Sequence, residues 1–219
     1  MRAPTVFGGP ALLLAASLAA ASPPDGGALA HEALGRCGRS SFVARETAIA
    51  LVEQGIALAR AATAGTPDDK VAHFALFCNL ARRMSLEGLG MHTMRDLLRA
   101  RRALERSLQL DPTYVDARAA RGALLYYSPR LTGGDAAAGE RVIRAVLATQ
   151  PENPVRLVLV ELLVDRADIG EARREAERSL EAVQASADPT VRAGARALLD
   201  HLCARDWPEQ VAAVLRTSC

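Results

Sequence analysis

Leu104-Glu105-Arg106-Ser107-Leu108-Gln109-Leu110-Asp111-Pro112-Thr113-Tyr114, running on through Val115 to Arg121-Gly122, decides how this chain is read. The first part is a helical run of Leu, Glu and Arg. Asp-Pro then stops it, because proline just past a helix cannot continue it. The part after the turn is again helical in period. The motif is therefore a helix, a tight turn and a second helix, and it recurs on both sides.

Upstream, Gly55-Ile56-Ala57-Leu58-Ala59-Arg60-Ala61-Ala62 leads to Pro67, followed by Val71 to Leu80. Downstream, Gly139-Glu140-Arg141-Val142-Ile143-Arg144-Ala145-Val146-Leu147 leads to Pro151, followed by Val155 to Leu163. Twelve residues before the three prolines stand Gly55, Ala100 and Gly139, and five before them stand Ala62, Ser107 and Val146. Compact residues at matched places let neighbouring helices approach closely. The run Val155–Leu163 has the composition of a buried strand, but Glu161 inside it and Pro154 ahead of it favour a helix. A fourth pair begins with Glu171 to Leu180, and a helix from about Val191 to Cys203 follows Pro189. Asp206-Trp207-Pro208 opens a last short helix, 208–216, suited to capping a stack. The alternating charges of 171–178 read as a solvated helix face.

Composition agrees. The 219 residues are half hydrophobic but only 4% aromatic, which disfavours a β-sandwich. With 27 basic and 25 acidic residues the net charge is +2, and that near balance argues against nucleic acid as a partner. Lys70 is the only lysine.

The beginning of the chain reads as a secretory signal over 1–21: Arg2, the apolar Ala11-Leu12-Leu13-Leu14-Ala15-Ala16, and the small-residue site Ala19-Ala20-Ala21. Its apolar run is too short to span a bilayer, so no stable membrane span is expected after cleavage. Residues 22–40, with Pro23-Pro24-Asp25-Gly26-Gly27, read as a flexible linker, and 41–219 as the repeat domain. Export permits disulfides among Cys37, Cys78, Cys203 and Cys219. Three full pairings exist, and a buried free thiol at Cys78 is the alternative. Leu34-Gly35-Arg36 ahead of Cys37 lacks the small residue that precedes a lipidated cysteine.

Catalytic spacings are not found. His31, His73, His92 and His201 are scattered, and neither a Gly-x-Ser-x-Gly elbow nor a phosphate-binding Gly-x-x-x-x-Gly-Lys loop occurs. The chain reads as a non-enzyme with no cofactor and no metal. Gly133-Gly134-Asp135 suits either an anion at a helix start or a tight turn with Asp135 as N-cap; the cap is the favoured reading.

The grammar resembles the tetratricopeptide repeat, most closely over Leu104–Gly122, with degenerate copies across 46–203 and inserts at Met84–Met94 and Ser128–Asp135. The resemblance implies an all-α fold, a right-handed solenoid of antiparallel helix pairs. The loop Pro129-Arg130-Leu131-Thr132-Gly133-Gly134-Asp135 is similar to one in bacterial envelope repeat proteins that include the T component of tripartite ATP-independent periplasmic transporters. Carried over residue by residue, the repeat pattern implies that the first helix of each pair lines a partner-binding groove. Phe74, Cys78 and Arg82, then Ala119, Ala123 and Tyr126, then Val158 and Leu162 would face it. The implied function is an exported scaffold of the periplasm or cell envelope that binds a protein partner, a periplasmic solute-binding protein or a second copy of the chain among the candidates. The alternative is a ligand-handling accessory subunit of such a transport system.

Overall fold

The structure, a computed structural model, describes residues 25–88, 91–185 and 207–216, and every regular element in them is helical. The elements are α1 (Gly26–Arg39), α2 (Arg45–Gly65), α3 (Lys70–Glu87), α4 (Met91–Leu110), α5 (Val115–Tyr127), α6 (Ala136–Thr149), α7 (Arg156–Asp165), α8 (Ile169–Ala185) and α9 (Glu209–Arg216). Single 3-10 turns stand at Ser40–Phe42 and Arg130–Thr132. Chain neighbours pack as pairs, α1 on α2, α3 on α4, α5 on α6 and α7 on α8, with α9 closing against α8. Among the described residues no helix is long and apolar enough to cross a membrane.

Acidic side chains set several helix starts. Asp25, Asp69 and Asp135 accept from the backbone N–H groups of Gly27, Val71 and Ala138 at 3.1, 2.8 and 2.9 Å. Each satisfies an amide that the first turn leaves orphaned. Asp111 does the same in the α4–α5 turn, accepting from the Thr113 N–H at 2.8 Å.

Three readings of the sequence are corrected. Residues 26–39, taken as part of a flexible linker, form α1, which packs on both α2 and α3 and is the first helix of the first pair. Its glycines argued for a loop, but Ala30, Ala33 and Cys37 are buried and the Asp25 cap starts it. The insert at 84–94 is mostly helix, because α3 runs on to Glu87 and α4 begins at Met91. Glu175, assigned to a solvated face, is 3% exposed. The run from Val155 is helical as expected, and the last helix starts one residue later than expected. The signal segment 1–21, the expected helix from Val191 to Cys203, and Cys203 and Cys219 lie outside the described residues.

The compact positions do what their spacing suggested. A Cβ on Gly139 would stand 2.7 Å from the Gly122 carbonyl oxygen, and one on Gly122 would stand 2.7 Å from Ile143 Cγ1. These two glycines thus let α5 and α6 cross nearly backbone to backbone. Gly55 gives the same clearance to Asn79. The fully buried Asn79 donates to the carbonyls of Ala33 and Ala75 at 2.9 Å each, joining α3 to α1, while its Oδ1 rests against Gly55 of α2.

Candidate functional site

Three open clefts run along the stack, and each is built the same way. The second helices of successive pairs form the walls and the first helix between them forms the floor. The first cleft, about 540 Å³, lies between α2 and α4 over α3. The second, about 300 Å³, lies between α4 and α6 over α5, and the third, about 410 Å³, between α6 and α8 over α7. Aliphatic side chains line each of them: Leu76 and Leu80 on the floor of the first, Leu108 and Val142 on the walls of the second, and Leu147 on a wall and Leu159 on the floor of the third.

Arginine rims all three. Arg60, Arg99, Arg102 and Arg106 line the first, beside His73, whose Nε2 is 2.8 Å from the Pro67 carbonyl oxygen. Arg118, Arg121 and Arg141 line the second. In the third, Arg144, Arg156 and Arg178 stand with Glu175. The Glu175 carboxylate, nearly buried, accepts from Arg156 and, at 2.6 Å, from Arg178. A charge taken that far out of water needs such partners. Arg144 is held by Glu140 and Glu171, which raise its pKa against the lowering effect of burial, the largest single influence.

The expected groove residues are not among those that line these three clefts. Phe74, Ala119, Val158 and Leu162 are buried and pack the stack. Phe74 meets Phe77 and the edge of Tyr114, with ring centroids 6.0 and 5.3 Å apart. Cys78 is bonded to Cys37, with Cα atoms 6.1 Å apart. That settles the pairing for these two and corrects the free-thiol alternative. Arg82 donates to the hydroxyl and carbonyl of Ser40 at 3.2 and 3.1 Å, and burial lowers its pKa. Ala123 is half-buried against the α5–α8 core, and the Tyr126 hydroxyl donates to Asp165 of α7. These residues serve packing between pairs, on α3, α5 and α7 in turn. The sequence reading passed over Arg118, Arg121 and Arg141; repeat alignment marks only the first, which falls six residues after Pro112 as His73 falls six after Pro67.

The loop from Ser128 to Asp135 is a closed turn. Gly133 has φ +84°, and a Cβ on Gly134 would lie 1.7 Å from the Ser128 carbonyl oxygen. Asp135 caps α6, as the favoured reading held, and its own N–H donates to the Leu125 carbonyl at 2.9 Å. Leu131 at its tip is fully exposed. Among the described residues no group of three or more His, Cys, Asp or Glu is placed to hold a metal ion.

Neither a protein-family model nor a curated protein matches the chain. Among solved structures, a thermophilic TPR protein of Thermus thermophilus is similar, with a TM-score of 0.56 and 23% identity. The match covers 81% of this chain and 84% of that one. At that identity the likeness speaks for architecture: this chain folds as a tetratricopeptide-like α-α superhelix.

Proposed function

We propose that the chain is a non-enzymatic scaffold that binds a protein partner after export to the cell envelope or periplasm. The observation that carries the reading is the series of open clefts repeated along the stack. A quasi-one-dimensional array offers a long surface of this kind, suited to a partner that extends across several units. Export draws support from the signal-like start and from the Cys37–Cys78 bond, since disulfides persist in oxidising compartments. The test is cross-linking from an envelope fraction followed by reconstitution with purified proteins. One partner should bind saturably in both settings; recovery of no specific protein would refute the scaffold.

A second reading, a ligand-handling subunit of a transport system like the tripartite periplasmic ones, is favoured by two observations. One is the Pro129–Asp135 loop, and the other is the first cleft, whose volume falls in the range of small-molecule sites. A thermal-shift screen with small organic acids separates the two. A ligand that binds only the folded chain raises its melting temperature, whereas the scaffold reading expects no shift.

A further inference from the structure

The clefts are equivalent in register, and the equivalence exposes a difference. Arg102 and Arg141 stand two residues beyond Ala100 and Gly139, the small residues of α4 and α6, and Ala103 and Val142 stand one further on. Counted from the buried Ala172 of α8, the place of Ala103 and Val142 is taken by Glu175. On the cleft floors His73 and Arg118 stand six residues after their prolines, and Arg156, five after Pro151, lines the third. In the third cleft the chain therefore supplies its own carboxylate, gripped by Arg156 and Arg178.

The other two clefts keep the arginines and lack the carboxylate. No acidic residue lines either one. In the first, Arg106 pairs with Asp68 at 2.6 Å and Arg99 reaches Asp96 only at 3.9 Å. Arg60, Arg102, Arg118, Arg121 and Arg141 have no ion pair among the described residues. Five guanidiniums thus line two adjacent clefts that have no acidic lining residue.

We propose that the first two clefts bind the acidic side chains of an extended peptide segment of the partner, with Arg118, Arg121 and Arg141 as the anchor. The inference rests on the scaffold reading and specifies its partner. Guanidinium groups match carboxylates with paired N–H donors, and arginine clusters are a recurrent means of reading acidic motifs. Leu76 and Leu80 in the first cleft and Leu108 and Val142 on the walls of the second take the apolar side chains between the acids. Nucleic acid fits less well, because no Phe, Tyr or Trp lines either cleft for a base to stack on.

The test is fluorescence anisotropy of the chain with a fluorescein-labelled peptide of alternating Glu and Leu, beside a labelled oligothymidylate of equal charge. The peptide should bind saturably and more weakly as salt is raised, since exposed charges are screened. Arg118→Glu with Arg141→Glu should weaken it about tenfold or more. Arg39→Glu with Arg130→Glu, an equal change of charge at exposed residues that line none of the three clefts, should leave it within about twofold, and circular dichroism should show all variants folded. Equal binding by the two double variants would overturn the proposal, as would tighter binding of the oligonucleotide. If the partner recovered by cross-linking binds the Arg118→Glu/Arg141→Glu chain as well as it binds the parent, the clefts are wrongly assigned and the scaffold stands. If the peptide discriminates the variants but no protein partner exists, the scaffold falls instead.

Discussion

The two ends of the stack are held together by different means. Where α1 meets α2 and α3 the fully buried contacts are alanine: Ala30, Ala33, Ala59, Ala62, Ala72 and Ala75, while Val52, Ile56, Phe74, Phe77 and Leu80 form a core on the side towards α4. Around α6 to α9 they are large: Ile143, Val146, Leu157, Leu159, Leu163, Trp207 and Val211. A buried methyl removes far less apolar area from water than a leucine side chain. The alanine end compensates with close approach, with the Asn79 amide and with a covalent bond between α1 and α3. One helical architecture is thus reached by a thin, cross-linked layer at one end and a thick apolar core at the other.

The largest effect expected is at the cross-linked end. The Cys37–Cys78 bond spans a sequence separation of 41, and a loop of that size restricts the unfolded chain by about 4 kcal/mol. Cys37→Ser with Cys78→Ser should lower denaturant stability by about that much, with hydrogen-exchange protection lost first in α1 and kept in α7. Simultaneous loss in both helices would show that the two ends are one cooperative unit. At the thick end, Leu163→Ala should cost about 3 kcal/mol, from lost transfer energy and the cavity left behind. Its exchange signature should be the reverse, α7 and α8 opening before α1.

A smaller effect is expected midway. In Gly139→Ala the new methyl meets the Gly122 carbonyl, and overpacking of about 3 kcal/mol is offset by about 1 kcal/mol of helix propensity. Chemical denaturation should show a net loss of about 2 kcal/mol. Gly65→Ala, with nothing within 4 Å of the added methyl, should show no loss.

The smallest effect concerns pH. Asp111 is held down to about 2, chiefly by the hydrogen bond from Lys70 of α3 and then by those from Thr113. The folded carboxyl thus gives up its proton more readily than the unfolded one, whose ordinary value is about 3.9. The contribution is fully present above that value and disappears as pH falls towards about 2. In Asp111→Asn the acid limb of the stability profile should flatten slightly; an unchanged profile would show that Lys70 and Asp111 do not tie α3 to the α4–α5 turn.

Much of the fold was legible because proline and compact residues mark the turns and crossings at repeating intervals. Pro67, Pro112 and Pro151 all fall in connections, and Gly55 and Gly139 both meet a neighbouring helix directly. α1 escaped notice because Gly26, Gly27, Gly35 and Gly38 weaken its intrinsic propensity, and its stability comes from packing that local sequence does not display. The residues that line the clefts were less legible for a related reason. A repeat pattern identifies first-helix positions, but not which side of each helix is covered by the next pair. Phe74, Val158 and Leu162 are buried within the stack, as are Leu80 and Leu159, which line clefts. Among so many arginines, charge type alone could not single out Arg118, Arg121 and Arg141. Only the walls on either side show that they share one opening.

Asn79 has a consequence for how the right thiols meet. Methyl-lined helices present smooth flanks, and sliding one along another by a turn would forfeit little buried area. A side-chain amide fixed to the Ala33 carbonyl is a peg in that smooth track. It stands next to Cys78 in the chain, so the register it fixes is the one in which Cys37 and Cys78 are bonded.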